Sequence, residues 1–102
     1  MKYNKAVRDK IPEIIRQSGQ NCNVRKISDS EFLVEMEKKL EEELREYQES
    51  KSVEELADIL EIIYRISHLK GISAEKLDEI RQQKAVKRGV FEKNLFLFDT
   101  DN

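Results

Sequence analysis

The sequence has little of what several kinds of functional site require. Its 102 residues include one cysteine, one histidine, one proline and three glycines. Cys22 cannot form a disulfide within the chain, and no base lies near it in sequence to activate the thiol. A Gly-rich phosphate loop, a Cys/His zinc pattern and a Ser-His-Asp set cannot be assembled. His68 falls on the polar side of its predicted helix, so we interpret it as a surface residue.

We also expect no secretory leader, and the sequence has no apolar run long enough to cross a bilayer. We therefore expect no membrane partner and a reducing, cytoplasmic setting. A chain of this length forms one domain at most, spanning residues 1–102. Charged residues (39%) are as frequent as hydrophobic ones (38%), so the core must be modest. A second copy of the chain would help to cover the helices of such a domain.

Charge is segregated along the chain, although the net charge is only -2. Residues 1–30 carry seven basic and three acidic side chains, residues 31–61 four and twelve, and residues 62–102 eight and six. Duplex nucleic acid needs one coherent basic face, so this pattern argues against duplex binding. It suits a small polyanion held by a metal ion on one side and by Lys or Arg on the other.

Helix start and stop signals predict an all-α protein, a small bundle of about four helices. The first predicted helix runs from Lys10 to about Gln17, is capped by Asp9 with Pro12 in its first turn, and ends at Ser18-Gly19. The second is a long acidic helix that begins with the capping box of Ser28 and Glu31 and runs to about Glu49. The third runs from Val53 to about Lys70 and is stopped by Gly71, and the fourth runs from Ala74 to about Lys87, is capped by Ser73 and is ended by Arg88-Gly89. A short strand at 23–27 and an apolar tail (VFEKNLFLF) packed extended against the bundle complete the prediction.

Two acidic pairs mark the centre of the chain as an antiparallel helical hairpin. Glu43 and Glu46 form an E-x-x-E pair, and Glu55 and Asp58 form an E-x-x-D pair, so each pair projects from one side of its helix. In a hairpin folded about Ser50 and Lys51, Glu46 is level with Glu55 and Glu43 is level with Asp58. Four carboxylates placed in this way repel each other unless a cation lies between them. Mg2+ takes such oxygen-only coordination.

Two other interpretations of these acids remain open. Glu55 falls inside the apolar arc of its helix, where an unpaired carboxylate is costly. It also stands three residues after Ser52 and could complete a capping box. The run from Glu41 to Glu46 could equally be a solvated acidic face. The matching register of Glu55 and Asp58 favours the metal site.

A basic cluster ends the fourth predicted helix. Lys84 and Arg88 share a helix face, Lys87 lies beside them, and Gly89 lets the chain turn just afterwards. These side chains could compensate the helix dipole or bind phosphate. Spacing alone does not decide between the two roles.

Taken together, these motifs resemble a known family. The ExxE and ExxD pairs on a helical hairpin resemble the all-α, MazG-like nucleotide pyrophosphohydrolases, relatives of phosphoribosyl-ATP pyrophosphohydrolase. The opening YNKAVRDKIPE (3–13) and the ending KRGVF (87–91) with Phe96-Leu97 resemble a compact, phage- and bacteria-associated branch. The interval between Glu46 and Glu55 is shorter than in much of the superfamily, a difference that falls in the turn and preserves the two-sided register.

The resemblance implies an Mg2+-dependent enzyme, with Mn2+ as a substitute, that hydrolyses a nucleoside triphosphate or a related nucleotide such as phosphoribosyl-ATP. The products are the monophosphate and pyrophosphate. It also implies a homo-oligomer, a dimer or tetramer, with sites near subunit contacts. The implied residues are Glu43, Glu46, Glu55 and Asp58 for the metal; Glu42 or Glu46 as general base; and Asn4, Arg8, Asp9, Lys84, Lys87 and Arg88 for the substrate.

Two alternatives belong to other functional classes. One is a non-catalytic helical adaptor whose acidic hairpin docks a basic partner. The other is a member of the same family that senses nucleotide without turnover. A carboxylate within an apolar arc, such as Glu55, favours the enzyme over the adaptor, since a docking surface does not require one there.

Overall fold

The computed structural model describes residues 1–101, and Asn102 lies outside the described residues. Four helices follow one another: α1 (Ile11–Gln17), α2 (Asp29–Ser50), α3 (Val53–Leu69) and α4 (Ala74–Arg88). Across residues 1–101 all regular structure is helical. The predicted all-α class and small four-helix architecture are confirmed. The strand expected at 23–27 does not form, and those residues have no regular structure.

Helix α2 begins with the predicted capping box. Ser28 Oγ accepts a hydrogen bond from the Glu31 backbone N–H at 3.2 Å, and Glu31 Oε1 accepts one from the Ser28 N–H at 3.3 Å. The hydrogen bonds from the Ser28 side chain and backbone hold the pKa of the Glu31 carboxyl below its ordinary value. Two of the backbone N–H groups that a helix start leaves unpaired are therefore satisfied.

We expect Ser28→Ala to lower the free energy of unfolding by about 1 kcal/mol, because the Glu31 N–H loses its acceptor. Urea denaturation of the two proteins at neutral pH measures this difference. Ser30→Ala is the comparison variant, since Ser30 lies inside α2 and its hydroxyl meets the Ser28 hydroxyl at 3.2 Å without capping a backbone N–H. Equal losses in the two variants would contradict a capping role for Ser28.

Helix α1 starts one residue later than predicted. The residue before it is Lys10, which has helical backbone angles (φ -91°, ψ -5°) and makes no side-chain capping bond. Asp9 is therefore one position too early for its carboxylate to cap the helix, and that prediction is wrong. Pro12 lies in the first turn, where its missing N–H costs nothing.

The turn between α2 and α3 is tight. Lys51 adopts a left-handed conformation (φ 59°), and its N–H donates to the Tyr47 carbonyl at 2.7 Å. Ser52 then caps α3 by accepting a hydrogen bond from the Glu54 N–H at 3.3 Å. The Ser52 side chain thus accepts from the N–H of the second residue of α3, and Glu55 does not complete a capping box. The Glu55 carboxylate is therefore free to meet the other predicted metal ligands.

Helices α2 and α3 pack along each other, whereas α4 packs only against α3. Met36 of α2 and Ile62 of α3 are the apolar residues that become buried within residues 1–101. The first half of α4 lies against the C-terminal end of α3, where Ser67 Oγ donates a hydrogen bond to the Ile72 carbonyl at 2.8 Å. This end of α3 is far from the turn at Lys51.

The tail does not pack against the bundle as predicted. Phe91 is 99% exposed, and Phe96 and Phe98, which pack edge to face at a centroid distance of 5.1 Å, are also largely exposed. The tail follows the free end of α4 and turns at Gly89 (φ 82°), so it starts where no other helix surface is close. Within residues 1–101 no helix is long and apolar enough to span a membrane.

Candidate metal centre

The hairpin brings together three of the four predicted metal ligands. Glu43 comes from α2, and Glu55 and Asp58 come from the first two turns of α3. One carboxylate oxygen of each lies within 4.8 Å of those of the other two. A divalent ion with oxygen ligands at 2.0–2.6 Å fits between oxygens at such separations. The tight turn at Lys51 sets this register, since a one-residue slip would rotate the α3 acids away from α2.

Glu43 is the buried member of the cluster. Its side chain is 9% exposed, and its Oε2 atom has no hydrogen-bond partner within residues 1–101. Burial raises the pKa of Glu43 to about 7, and a hydrogen bond to Glu46 and the negative charges of Glu46 and Asp58 add to the rise. A hydrogen bond between the Glu43 and Glu46 carboxyl groups requires a proton on one of them, so two ionised carboxylates cannot form it. A cation bound among these carboxylates would lower the pKa of Glu43 again and favour its ionised form.

The sequence predicted Glu43 as a metal ligand but did not identify it as the buried one. Its position flanks the apolar line of α2, whereas Glu55 lies inside the apolar arc of α3, and both Glu55 and Asp58 are in fact half-buried. The signal that points to Glu43 is its place between Leu40 and Leu44, on the side of α2 that faces α3. Only the rotation of α2 against α3 decides which carboxylate is covered.

Of the two predicted general bases, Glu46 lies beside the cluster, and Glu42 precedes Glu43 on the same helix. Glu46 is exposed, lies beside Glu43 and is outside the group of three oxygens that converge. Glu42 is half-buried, and its carboxylate lies 3.7 Å from the Lys5 ammonium. Neither residue belongs to the converging group, so the role of general base stays a prediction for both.

The N-terminal segment adds a cation to the acidic cluster. Arg8 Nη2 donates to Asp58 Oδ1 at 2.7 Å. Both side chains are about half exposed, so this ion pair adds little to stability. Its importance is its position, since it sets a guanidinium at the rim of the acidic cluster. Asn4 (φ 47°) and Asp9 belong to the same segment and are exposed.

The basic cluster of α4 lies apart from the acids. Lys84, Lys87 and Arg88 are exposed, and Lys84 and Arg88 line a surface cavity of about 430 Å³ together with Phe91. Helix α4 does not contact α2, and no ion pair in residues 1–101 joins the basic cluster to the acidic one. Within one chain, Arg8 is therefore the arginine that the fold places at the acids.

His68 and Cys22, to which the sequence analysis gave no role in a functional site, lie away from this centre. His68 is exposed, as predicted, and its Nδ1 atom lies 2.9 Å from Arg65 Nη1. The Cys22 thiol is half-buried, with its sulfur 3.8 Å from the Pro12 carbonyl oxygen. Neither belongs to the acidic cluster.

Comparison with known proteins leaves the family undecided. No protein-family model matches the chain, and no solved structure matches it. An uncharacterised protein of Mycolicibacterium smegmatis is 48% identical over 40 residues, which are 39% of this chain and 41% of that protein. The chain thus spans less than half the length of the relative it matches, and the resemblance to MazG-like enzymes stays a prediction.

Proposed function

We propose that the chain is an Mg2+-dependent nucleotide pyrophosphohydrolase. The observation that carries this proposal is Glu43, a buried carboxylate with an unpartnered oxygen, converging with Glu55 and Asp58 from the facing helix. Three converging carboxylates, one of them buried, repel each other and are costly to a folded chain unless something compensates their charge. A bound divalent cation supplies that compensation.

The donor set fits a hard cation. Glu43, Glu55 and Asp58 offer oxygen atoms only, which suits Mg2+, with Mn2+ as a substitute, and does not suit a soft metal. Glu46 is the fourth proposed ligand, reached by rotation of its exposed side chain. When bound, the metal neutralises phosphate charge and lowers the pKa of a coordinated water. Glu43, Glu55, Asp58 and Glu46 would hold the ion, and water and phosphate oxygens could bind to it beside them.

The neighbouring side chains have separable roles in this proposal. Arg8 can exchange its bond with Asp58 for a phosphate oxygen, since a guanidinium binds carboxylate and phosphate in the same fork geometry. Glu42, held near Lys5, or Glu46 accepts the proton of the attacking water. Asn4 and Asp9 lie on the segment that carries Arg8 and are proposed to contact the nucleotide.

The proposed substrate is a nucleoside triphosphate or a similar nucleotide such as phosphoribosyl-ATP, cleaved to the monophosphate and pyrophosphate. This substrate class comes from the resemblance of the sequence motifs, and the acidic centre with its rim arginine supports it. The basic residues Lys84, Lys87 and Arg88 are proposed to bind phosphate oxygens. Within one chain they lie apart from the acids, since α4 contacts α3 and not α2.

The test is pyrophosphate release from a panel of canonical triphosphates, modified triphosphates and phosphoribosyl-ATP. We expect release in Mg2+, a lower or altered rate in Mn2+, none after chelation by EDTA, and recovery when Mg2+ is restored in excess. Activity that survives EDTA would contradict the metal site. Inactivity against the whole panel would contradict the enzyme. In that case, Mg2+-dependent nucleotide binding would support a sensor.

The adaptor alternative makes a different use of the acids. A docking surface for a basic partner needs exposed charge, as at Glu41, Glu54 and Glu61, and gains nothing from a carboxylate that is 9% exposed. Binding of such a partner would weaken steeply with salt. The burial of Glu43 therefore favours the enzyme.

A further inference from the structure

The N-terminal segment, residues 1–10, contacts both helices of the acidic hairpin. It precedes α1 and lies outside the helices. Lys5 Nζ lies 3.7 Å from Glu42 Oε1 on α2, and Arg8 Nη2 donates to Asp58 Oδ1 on α3 at 2.7 Å. The two apolar residues between these basic side chains are half-buried. The segment is therefore fastened at two points, one of which is a carboxylate of the candidate metal centre.

Charge attracts this segment to the hairpin, and the attraction is weak. Residues 1–10 carry four basic side chains and one acidic side chain, whereas the helix residues they contact are acidic. The side chains of the Arg8–Asp58 pair are 56% and 41% exposed, and those of the Lys5–Glu42 pair are 45% and 44% exposed. Water screens ion pairs that are this exposed, so each adds little to stability. A stronger cation can therefore replace either basic side chain.

Asp58 is a ligand that two different cations require. It accepts the hydrogen bond of Arg8, and it is one of the three carboxylates whose oxygens converge within 4.8 Å. A divalent ion among these oxygens has twice the charge of a guanidinium and interacts with three carboxylates, including the buried Glu43. Arg8 pairs with Asp58 alone in residues 1–101. A guanidinium and a divalent ion on one carboxylate also repel each other.

We infer that Arg8 and a divalent cation bind Asp58 alternately, so that a cation entering the acidic centre releases the N-terminal segment from α3. This inference rests on the metal centre of the proposed function and does not depend on hydrolysis. Release leaves the Arg8 guanidinium beside the cation without a carboxylate partner. There it can bind an anion that the cation also holds, such as a phosphate group. The cation therefore binds first, and its binding makes the arginine available to the anion.

Arg8→Gln tests the competition, because it removes the rival cation and keeps a polar side chain. Calorimetric titration with Mg2+ alone is expected to show binding tighter by about two- to fivefold, since an exposed ion pair no longer has to be broken. Arg16→Gln is the matched control: it removes the same charge from an exposed position of α1 that forms no ion pair in residues 1–101, and its Mg2+ affinity should equal that of the unaltered protein. Unchanged or weaker Mg2+ binding by Arg8→Gln overturns the inference.

The motion of the segment gives a second readout, which needs no nucleotide. Heteronuclear NOE values of backbone amides report motion on the picosecond to nanosecond scale. In the unaltered protein the values of Val7 and Arg8 are expected to fall when Mg2+ saturates the centre, while those in the middle of α2 stay constant. In Arg8→Gln the value of Val7 should be low from the start and insensitive to Mg2+. A segment that stays ordered in saturating Mg2+ overturns the inference and leaves the metal centre in place. Failure of the unaltered protein to bind Mg2+ overturns both.

Discussion

Asp58→Asn is expected to reduce pyrophosphate release on the order of 100-fold or more, with the helical circular dichroism unchanged. The substitution keeps the shape of the side chain and removes one of the three negative charges that meet within 4.8 Å. Loss of an anionic ligand weakens both metal binding and the charge balance on the transferring phosphate. Asp58 is half-buried and exposed enough to tolerate an amide, so the fold should not suffer. Glu55→Gln is expected to act in the same way.

The matched control for these variants is Glu54→Gln. Glu54 precedes Glu55 on the same helix, is exposed, and stands outside the converging group. The rate of pyrophosphate release by Glu54→Gln should stay within about twofold of the rate of the unaltered protein, since exposed charges act only weakly at a distance. Calorimetric titration with Mg2+ adds a second readout, in which Asp58→Asn binds more weakly and Glu54→Gln does not. Full activity of both Asp58→Asn and Glu55→Gln would end the proposal of a metal site.

The sequence predicted the helices of this protein well because local signals mark most of their ends. Ser28, Ser52 and Ser73 each cap a helix, and Gly71 and Gly89 each follow one with a positive φ. Such signals depend only on neighbours within one turn. The cap expected from Asp9 failed because Lys10 continues the helical backbone without a side-chain bond, and no pattern in the sequence distinguishes these two positions.

The candidate site and the tail depend on packing, which local signals do not encode. The register of the hairpin follows from the residue numbers, so the meeting of Glu43 with Asp58 could be predicted. The rotation of α2 about its own axis could not be predicted. That rotation buries the Glu43 side chain, whereas the Glu55 side chain is only half-buried. The tail was expected on the bundle because it is apolar, yet Phe91 is fully exposed. Apolar composition predicts that a segment becomes covered and does not predict which surface, or which chain, covers it.

The stability of the metal-free protein is expected to fall as the pH rises from about 4.5 to about 7. Burial and neighbouring negative charges raise the pKa of Glu43 from 4.5 to about 7 in the folded state. The folded state therefore binds this proton more tightly than the unfolded state does. The resulting stabilisation is fully present below pH 4.5, declines through the interval, and is lost above pH 7. A shift of this size corresponds to about 3 kcal/mol.

Glu43→Gln isolates this effect, since glutamine stays neutral at every pH and its amide can donate to Glu46. In EDTA at pH 8 the variant is expected to exceed the unaltered protein by about 2–3 kcal/mol in free energy of unfolding, and the difference should shrink toward zero at pH 4.5. Urea denaturation at one fixed protein concentration measures it, with Glu49→Gln, an exposed position of α2, as the control. Addition of Mg2+ should then stabilise the unaltered protein and not the variant, because a cation that binds the ionised Glu43 favours the folded state. Parallel pH profiles for the two proteins would show that Glu43 ionises in the folded state without cost, and the main reason for a cation at that place would disappear.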